Sequence, residues 1–225
     1  MKNPSLKMQA YNILKERITN CTYPPGCQIN EEMLQNELGI SRTPIREALS
    51  RLEQENLVSI RPKKGIEITK LSIQELNMIF ELRQLLECHA LIQYGNLLPK
   101  EELYRFYQRF SEKIDPDNEK DYFKSDDQFH SLIMSVVPNR YIIQSYQQII
   151  NQNTRFRIMT GHRTAQRLMQ TNEEHKAILA ACIQQNWEQA AEAMRQHLMY
   201  SKSATFHLLL EQQPYMNVSQ NPDNM

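Results

Sequence analysis

Ser41-Arg42-Thr43-Pro44-Ile45-Arg46-Glu47-Ala48-Leu49-Ser50-Arg51-Leu52-Glu53-Gln54 decides how this chain is read. Ile45, Ala48, Leu49 and Leu52 recur at spacings of three and four, the period of a helix with one buried face. Ser41 suits the cap position, and Pro44 sits near the start, where a missing N–H leaves nothing unpaired. Arg42 and Arg46 are four apart and share a face outside the apolar stripe. Upstream, Asn30 can cap a short helix holding Met33, Leu34 and Leu38, closed by Gly39. Two short helices around a Gly-containing turn form the helix-turn-helix layout, whose second helix enters the major groove. The start of such a helix needs side chains that reach phosphates and base edges, and free amides that attract phosphate. Ser41, Arg42, Thr43 and Arg46 supply the side chains.

Working outward, Leu6, Ala10, Ile13, Leu14 and Ile18 predict a helix over 5–18, stopped by the turn Tyr23-Pro24-Pro25-Gly26. Leu57-Val58-Ser59-Ile60 and Ile66-Glu67-Ile68 are short β-like runs. The segment Arg61-Pro62-Lys63-Lys64-Gly65 joins them as a hairpin with a basic tip, suited to a minor-groove or phosphate contact. After Lys70 the pattern changes. Ser72-Ile73-Gln74-Glu75 is a capping box that opens a helix running to about Gly95. Further helices are predicted from Pro99, over about 121–137, and over 140–160, 164–184 and 187–211, with Asp115–Asn118 as a loop. No strand pattern occurs between 72 and 211. Two domains and a tail follow: a small mixed domain at 1–70, an all-α antiparallel bundle at 71–212, and a loose Gln-, Asn- and Pro-rich tail at 213–225. The fold class is mainly α.

The 225 residues carry 26 Lys+Arg against 26 Asp+Glu, which excludes a uniformly basic nucleic-acid binder. The balance is a cancellation: residues 1–70 hold 11 basic and 8 acidic side chains (+3), and the remainder 15 and 18 (−3). Only 5 glycines speak against phosphate loops and turn-rich β folds. The amphipathic N-terminus lacks an apolar signal region, and no stretch approaches the roughly 18 apolar residues of a membrane helix. Cys21, Cys27, Cys88 and Cys182 form no CxxC pair and read as reduced packing residues. A cytoplasmic protein with no membrane partner is expected.

Three of the six histidines stand out. Asp126 and His130 are four apart, on one helical face, where they can share a metal ion or a side-chain hydrogen bond. His175 lies 11 residues before the break at Asn186, and His197 lies 11 after it. In an antiparallel hairpin both sit about 16 Å from the turn, at 1.5 Å per residue, and can face one another. Asp126, His130, His175 and His197 then form a site in the bundle interior, a common place for metals. Three imidazoles and a carboxylate suit Zn²⁺ or another divalent first-row ion. His89, His162 and His207 have no such partners and read as packing or surface residues.

SRTPIREALSRLEQENLVSI (41–60) and RPKKGIEI (61–68) resemble the recognition region and wing of GntR-type bacterial transcription regulators. The resemblance implies that Ser41, Arg42, Thr43, Arg46, Lys64 and Gly65 contact operator DNA. One departure is Glu31-Glu32, where some members place an arginine, so no DNA contact is carried over to that helix. Residues 72–210 resemble the all-helical FCD effector domain of the FadR subfamily. Leu82-Arg83-x-x-x-Glu87, Asp126-x-x-Phe129-His130, and Glu174-His175 followed by His197 carry that likeness. It implies a divalent metal on Asp126, His130, His175 and His197, with zinc first and nickel, manganese or iron as alternatives. It also implies a small carboxylic-acid effector near the metal. Arg83 is the leading effector contact, with Asn139 and Arg157 behind it; Arg83 could instead pair with Glu87 at the surface, Asn139 could simply cap a helix, and Arg157 could be merely solvated. The expected protein is a regulator, most commonly a repressor relieved by its ligand, acting as a homodimer on a palindromic operator in the bacterial cytoplasm. Two alternatives remain at this stage: a metal-dependent enzyme with an accessory winged helix, and a regulator whose metal is purely structural. No general base at a persuasive spacing and no nucleophile motif favours the enzyme.

Overall fold

The computed structural model describes residues 5–62, 65–113, 119–161 and 164–211. The chain begins with α1 (Leu6–Thr19), a two-residue strand β1 (Gln28–Ile29), α2 (Glu31–Leu38) and α3 (Arg42–Gln54). Strands β2 (Val58–Arg61) and β3 (Gly65–Ile68) complete this part. The Asn30 side chain accepts a hydrogen bond from the Met33 amide at 2.8 Å and so caps α2, while Gly39 ends it at φ +64. Ser41 holds the cap position of α3 without a side-chain capping bond. The expected hairpin forms, β2 antiparallel to β3, but β1 adds a third strand on the other side of β3. Two residues carry no alternation, which is why β1 has no signature in the sequence. Beneath these elements lies an apolar core of Leu14, Ile18, Leu34, Ile45, Leu49, Leu52, Leu57 and Ile68, all nearly inaccessible. Each such side chain contributes roughly 1.5–3 kcal/mol by leaving water.

The second part is helical: α4 (Ile73–Tyr94), a 3-10 turn (Gly95–Leu97), α5 (Lys100–Ser111), α6 (Glu119–Ser135), α7 (Arg140–Met159), α8 (Ala165–Ile183) and α9 (Trp187–Glu211). No strand occurs here among the described residues, and none of their helices is long and apolar enough to cross a membrane. Helix α4 packs on α9 and α6, α9 on α8, and α8 on α5. The expected loop Asp115–Asn118 and the expected tail lie outside the described residues, as do Lys63 and Lys64 at the wing tip.

The fold groups into two compact units, and the division is discontinuous in sequence. One unit joins Met1–Ser72 to Gln147–Met159, and the other joins Ile73–Tyr146 to Thr160–Met225. Most of α7 therefore belongs with the winged part. Its Arg155 is fully buried there, donating to the Thr69 hydroxyl (2.9 Å), the Thr69 carbonyl and the Gln152 side chain (2.5 Å). Gln152 in turn donates to the Asn56 carbonyl at 2.9 Å.

In the helical unit, Gly95 lies against the indole of Trp187. A methyl group added at residue 95 would come within 2.3 Å of the ring, inside any contact distance. Gly95→Ala is therefore expected to cost about 1–3 kcal/mol through overpacking, read as a lowered urea midpoint in tryptophan fluorescence. Trp187 is the only tryptophan and sits at the clash itself.

Candidate metal centre and nucleic-acid interface

Asp126 and His130 come from consecutive turns of α6, His175 from α8 and His197 from α9. One ligand atom from each lies within 4.8 Å of all the others. That span is close to twice a metal–nitrogen bond of about 2.1 Å. The hairpin register expected around Asn186 is realised: α8 ends at Ile183, α9 starts at Trp187, and the His175 and His197 rings stand 4.5 Å apart. Asn186 secures the turn by accepting from the Gln189 amide at 3.1 Å. The three histidines are buried and Asp126 is half-buried.

Several polar atoms in the cluster are unsatisfied. His175 Nε2 is 3.3 Å from Asp126 Oδ1 and His130 Nε2 is 3.9 Å from it, but neither has hydrogen-bond geometry. His130 Nε2 and both ring nitrogens of His175 have no hydrogen-bond partner among the described residues. Burial, reinforced by the neighbouring histidines, holds His175 well below the usual imidazole range, and burial also lowers His197. Neutral imidazoles are the form that binds a metal. Phe110 and Phe129 wall the cluster, their rings 4.5 and 5.1 Å from that of His175.

The site extends beyond the four ligands. Glu87, fully buried on α4, accepts from Arg83 Nε at 2.7 Å and meets His130 Nδ1 at 2.5 Å. Burial alone would raise its carboxyl; the Arg83 and His130 charges outweigh that and hold it down to about 2. Arg83 itself is 3% exposed. The alternative of an ion pair with Glu87 is thus realised in the interior and not at the surface. Glu174 on α8 meets His197 Nδ1 at 2.8 Å and pairs with both terminal nitrogens of Arg167 at 2.5 and 3.0 Å. Its neighbour Glu173 is exposed and pairs with Lys176. Tyr146, buried on α7, has a hydroxyl with no hydrogen-bond partner among the described residues. Sequence reading named Glu174 only as part of the family-like pattern and missed Tyr146 and Arg167. An i,i+7 Arg–Glu pair and an inward tyrosine have no spacing that separates them from surface residues.

The other two expected effector contacts lie elsewhere. Asn139 is exposed, and its side chain accepts from the Tyr141 amide at 3.0 Å, capping α7. Arg157 is half-buried in the stretch of α7 that groups with the winged unit. His89 and His207 are exposed, and His162 lies outside the described residues.

In the winged unit, Ser41, Arg42, Thr43 and Arg46 form the exposed beginning of α3. The Ser41 hydroxyl is unused as a cap and so remains available for phosphate. Both arginines reach back to Glu31 at the start of α2, Arg46 Nε at 2.7 Å. The hydrogen bond from Arg46, joined by that from Arg42, keeps the Glu31 carboxyl below the usual range. Phosphate can replace Glu31 at both guanidinium groups. Gly65 opens β3 at φ +93, a conformation that favours glycine, opposite Arg61. The Ile60 amide donates to Glu53 of α3 at 2.8 Å and ties the wing to the end of that helix. Lys64 lies outside the described residues.

Comparisons agree with both halves. Residues 6–68 match the family model described as bacterial regulatory proteins, gntR family, and residues 78–199 match the model of the FCD domain. Among similar proteins, the HTH-type transcriptional repressor RspR of Escherichia coli is 25% identical over 201 residues, covering 87% of this chain and 88% of RspR. The repressor GlaR of the same organism is 26% identical over 210 residues, covering 85% and 92%. The solved structure of E. coli McbR/YncC superimposes with a TM-score of 0.76 at 19% identity, over 92% of this chain and all of that one, and shares the fold.

Proposed function

Since this chain belongs to the GntR family of bacterial regulatory proteins and carries an FCD domain, it is a DNA-binding transcription regulator, and we propose that a small anionic effector, bound at a divalent ion in the helical unit, controls its operator binding. The FCD domain behind a winged helix-turn-helix supports placement in the FadR subfamily. The observation that carries the metal reading is the convergence of Asp126 with three buried histidines whose ring nitrogens include three without hydrogen-bond partners among the described residues. A buried unsatisfied polar group costs about 1–3 kcal/mol; an ion at this point satisfies one nitrogen of His130 and one of His175 at once. Zinc suits three imidazoles and a carboxylate, with nickel, manganese or iron as alternatives.

Charge supports an anionic effector. Arg83 and Arg167 are paired with Glu87 and Glu174. A divalent ion held by neutral imidazoles and one carboxylate keeps a net positive charge of one. A carboxylate effector at the ion then brings the buried site to neutrality. Arg83, linked to the cluster through Glu87 and His130, remains the proposed effector contact of the three, and the Tyr146 hydroxyl is an available donor beside it. Effector binding then shifts the population between arrangements that fit and do not fit the operator. A homodimer on a palindromic operator matches the two-fold logic of helix-turn-helix proteins, and repression relieved by the effector is the proposed sign, exerted on DNA in the bacterial cytoplasm.

The test is a Zn²⁺ titration of chelator-treated protein, followed by operator binding with a panel of carboxylic acids. His175→Ala is expected to weaken zinc affinity by at least 100-fold, given the loss of a ligand and not merely of its support. An acid that shifts operator affinity in the zinc-loaded protein but not in the chelated protein supports the full reading. An acid acting equally in both supports a structural ion instead.

A further inference from the structure

Two of the three histidines in the cluster are held in the same way, on different helices. His130 Nδ1 faces Glu87 Oε2 at 2.5 Å, and Arg83 Nε donates to the other oxygen of that carboxylate at 2.7 Å. His197 Nδ1 faces Glu174 Oε2 at 2.8 Å, and Arg167 grips both oxygens of that carboxylate at 2.5 and 3.0 Å. Each is an Arg–Glu–His chain, one linking α4 to α6, the other α8 to α9. The third histidine lacks such a partner: both nitrogens of His175 are without hydrogen bonds among the described residues, and its ring is set between Phe110 and Phe129.

A neutral imidazole carries one proton and one lone pair, and the group facing one nitrogen decides which it bears. A carboxylate kept anionic by an arginine can only accept, so the nitrogen facing it must carry the proton. We infer that Glu87 and Glu174 are positioning residues, each locked by its arginine, that fix the Nδ1–H tautomer of His130 and of His197 and leave Nε2 of both rings as the metal donor. His175 receives its orientation from packing alone. The inference deepens the metal reading proposed above and rests on it for the word donor; the tautomers themselves do not depend on any ion.

The experiment uses full-length, ¹⁵N-labelled protein treated with chelator, in which long-range proton–nitrogen spectra assign the tautomer of each histidine. His130 and His197 are expected as Nδ1–H. In Glu174→Gln, His197 is expected to lose that single form while His130 keeps it, and Glu87→Gln is expected to do the reverse. Zn²⁺ affinity, measured against a chromophoric chelator, is expected to fall about 10- to 100-fold in each variant, the usual cost of removing a group that orients a ligand. Glu174→Asp is expected to restore the tautomer in part. Nε2–H forms of His130 and His197 in the wild-type chain, or variants with unchanged tautomers and zinc affinity, would overturn the inference. Should Glu87→Gln fail to fold, Glu174→Gln decides alone, since Glu174 is only half-buried. Should the wild-type chain bind no zinc, nickel or manganese, the metal reading falls, while the tautomer spectra still judge the positioning.

Discussion

Arg83→Met is expected to lower the stability of the helical unit by about 3–5 kcal/mol, the cost of breaking a buried ion pair by removing one partner. Arg83 and Glu87 are both essentially inaccessible, one turn apart on α4, and the carboxylate also faces His130. Methionine fills much of the same space, so the change removes charge more than volume. What remains is a carboxylate in the interior with its main counter-charge gone. A domain has only about 5–15 kcal/mol in all, so the loss is a large share. With a urea m-value of about 1–3 kcal/mol/M, the midpoint falls by at least about 1 M. Trp187 in α9 reports this unfolding. A loss below about 1 kcal/mol would show that water reaches the pair in solution.

The second large effect is on DNA. Arg46→Ala is expected to weaken specific operator binding about 5- to 150-fold, since a bidentate arginine–base contact is worth about 1–3 kcal/mol. The side chain is exposed at the beginning of α3, and among the described residues Glu31 competes with a phosphate or base for it. Zinc affinity is expected to remain at the wild-type value, because the residues of the metal cluster all belong to the other unit. Fluorescence anisotropy with a labelled operator, repeated at several salt concentrations, separates the two kinds of contact. A loss accompanied by a salt slope smaller by about one marks a phosphate contact; a loss at unchanged slope marks a base contact. Wild-type affinity at physiological salt would remove Arg46 from the interface.

The helices were legible because their signals are local. Asn30, Gly39 and the stripe from Ile45 to Leu52 specify α2, the turn and α3 within 23 residues. The candidate metal cluster was legible for a different reason: the equal distances of His175 and His197 from Asn186 encode depth in a hairpin, so two positions far apart in sequence could be brought together by arithmetic. What supports the cluster was not legible to the same degree. Glu87 belongs to α4, 43 residues from the histidine it meets, and no spacing rule spans such a gap. Arg83 and Glu87 at i,i+4 look the same in sequence whether the pair faces solvent or the interior. Strand β1 exists only because β3 offers it an edge, a tertiary cause with no local trace.

Arg155 gives the winged unit a property that its sequence position conceals. Thr69 and, through Gln152, Asn56 are satisfied by a helix that starts some 70 residues further along the chain. The smallest self-sufficient reader is therefore not a prefix of the polypeptide. A fragment cut after Ser72 keeps the recognition helix and the wing yet forfeits the guanidinium that closes the base of its fold. Chimeras that graft a foreign sensor at that seam inherit the same gap, unless the graft brings an arginine to fill it.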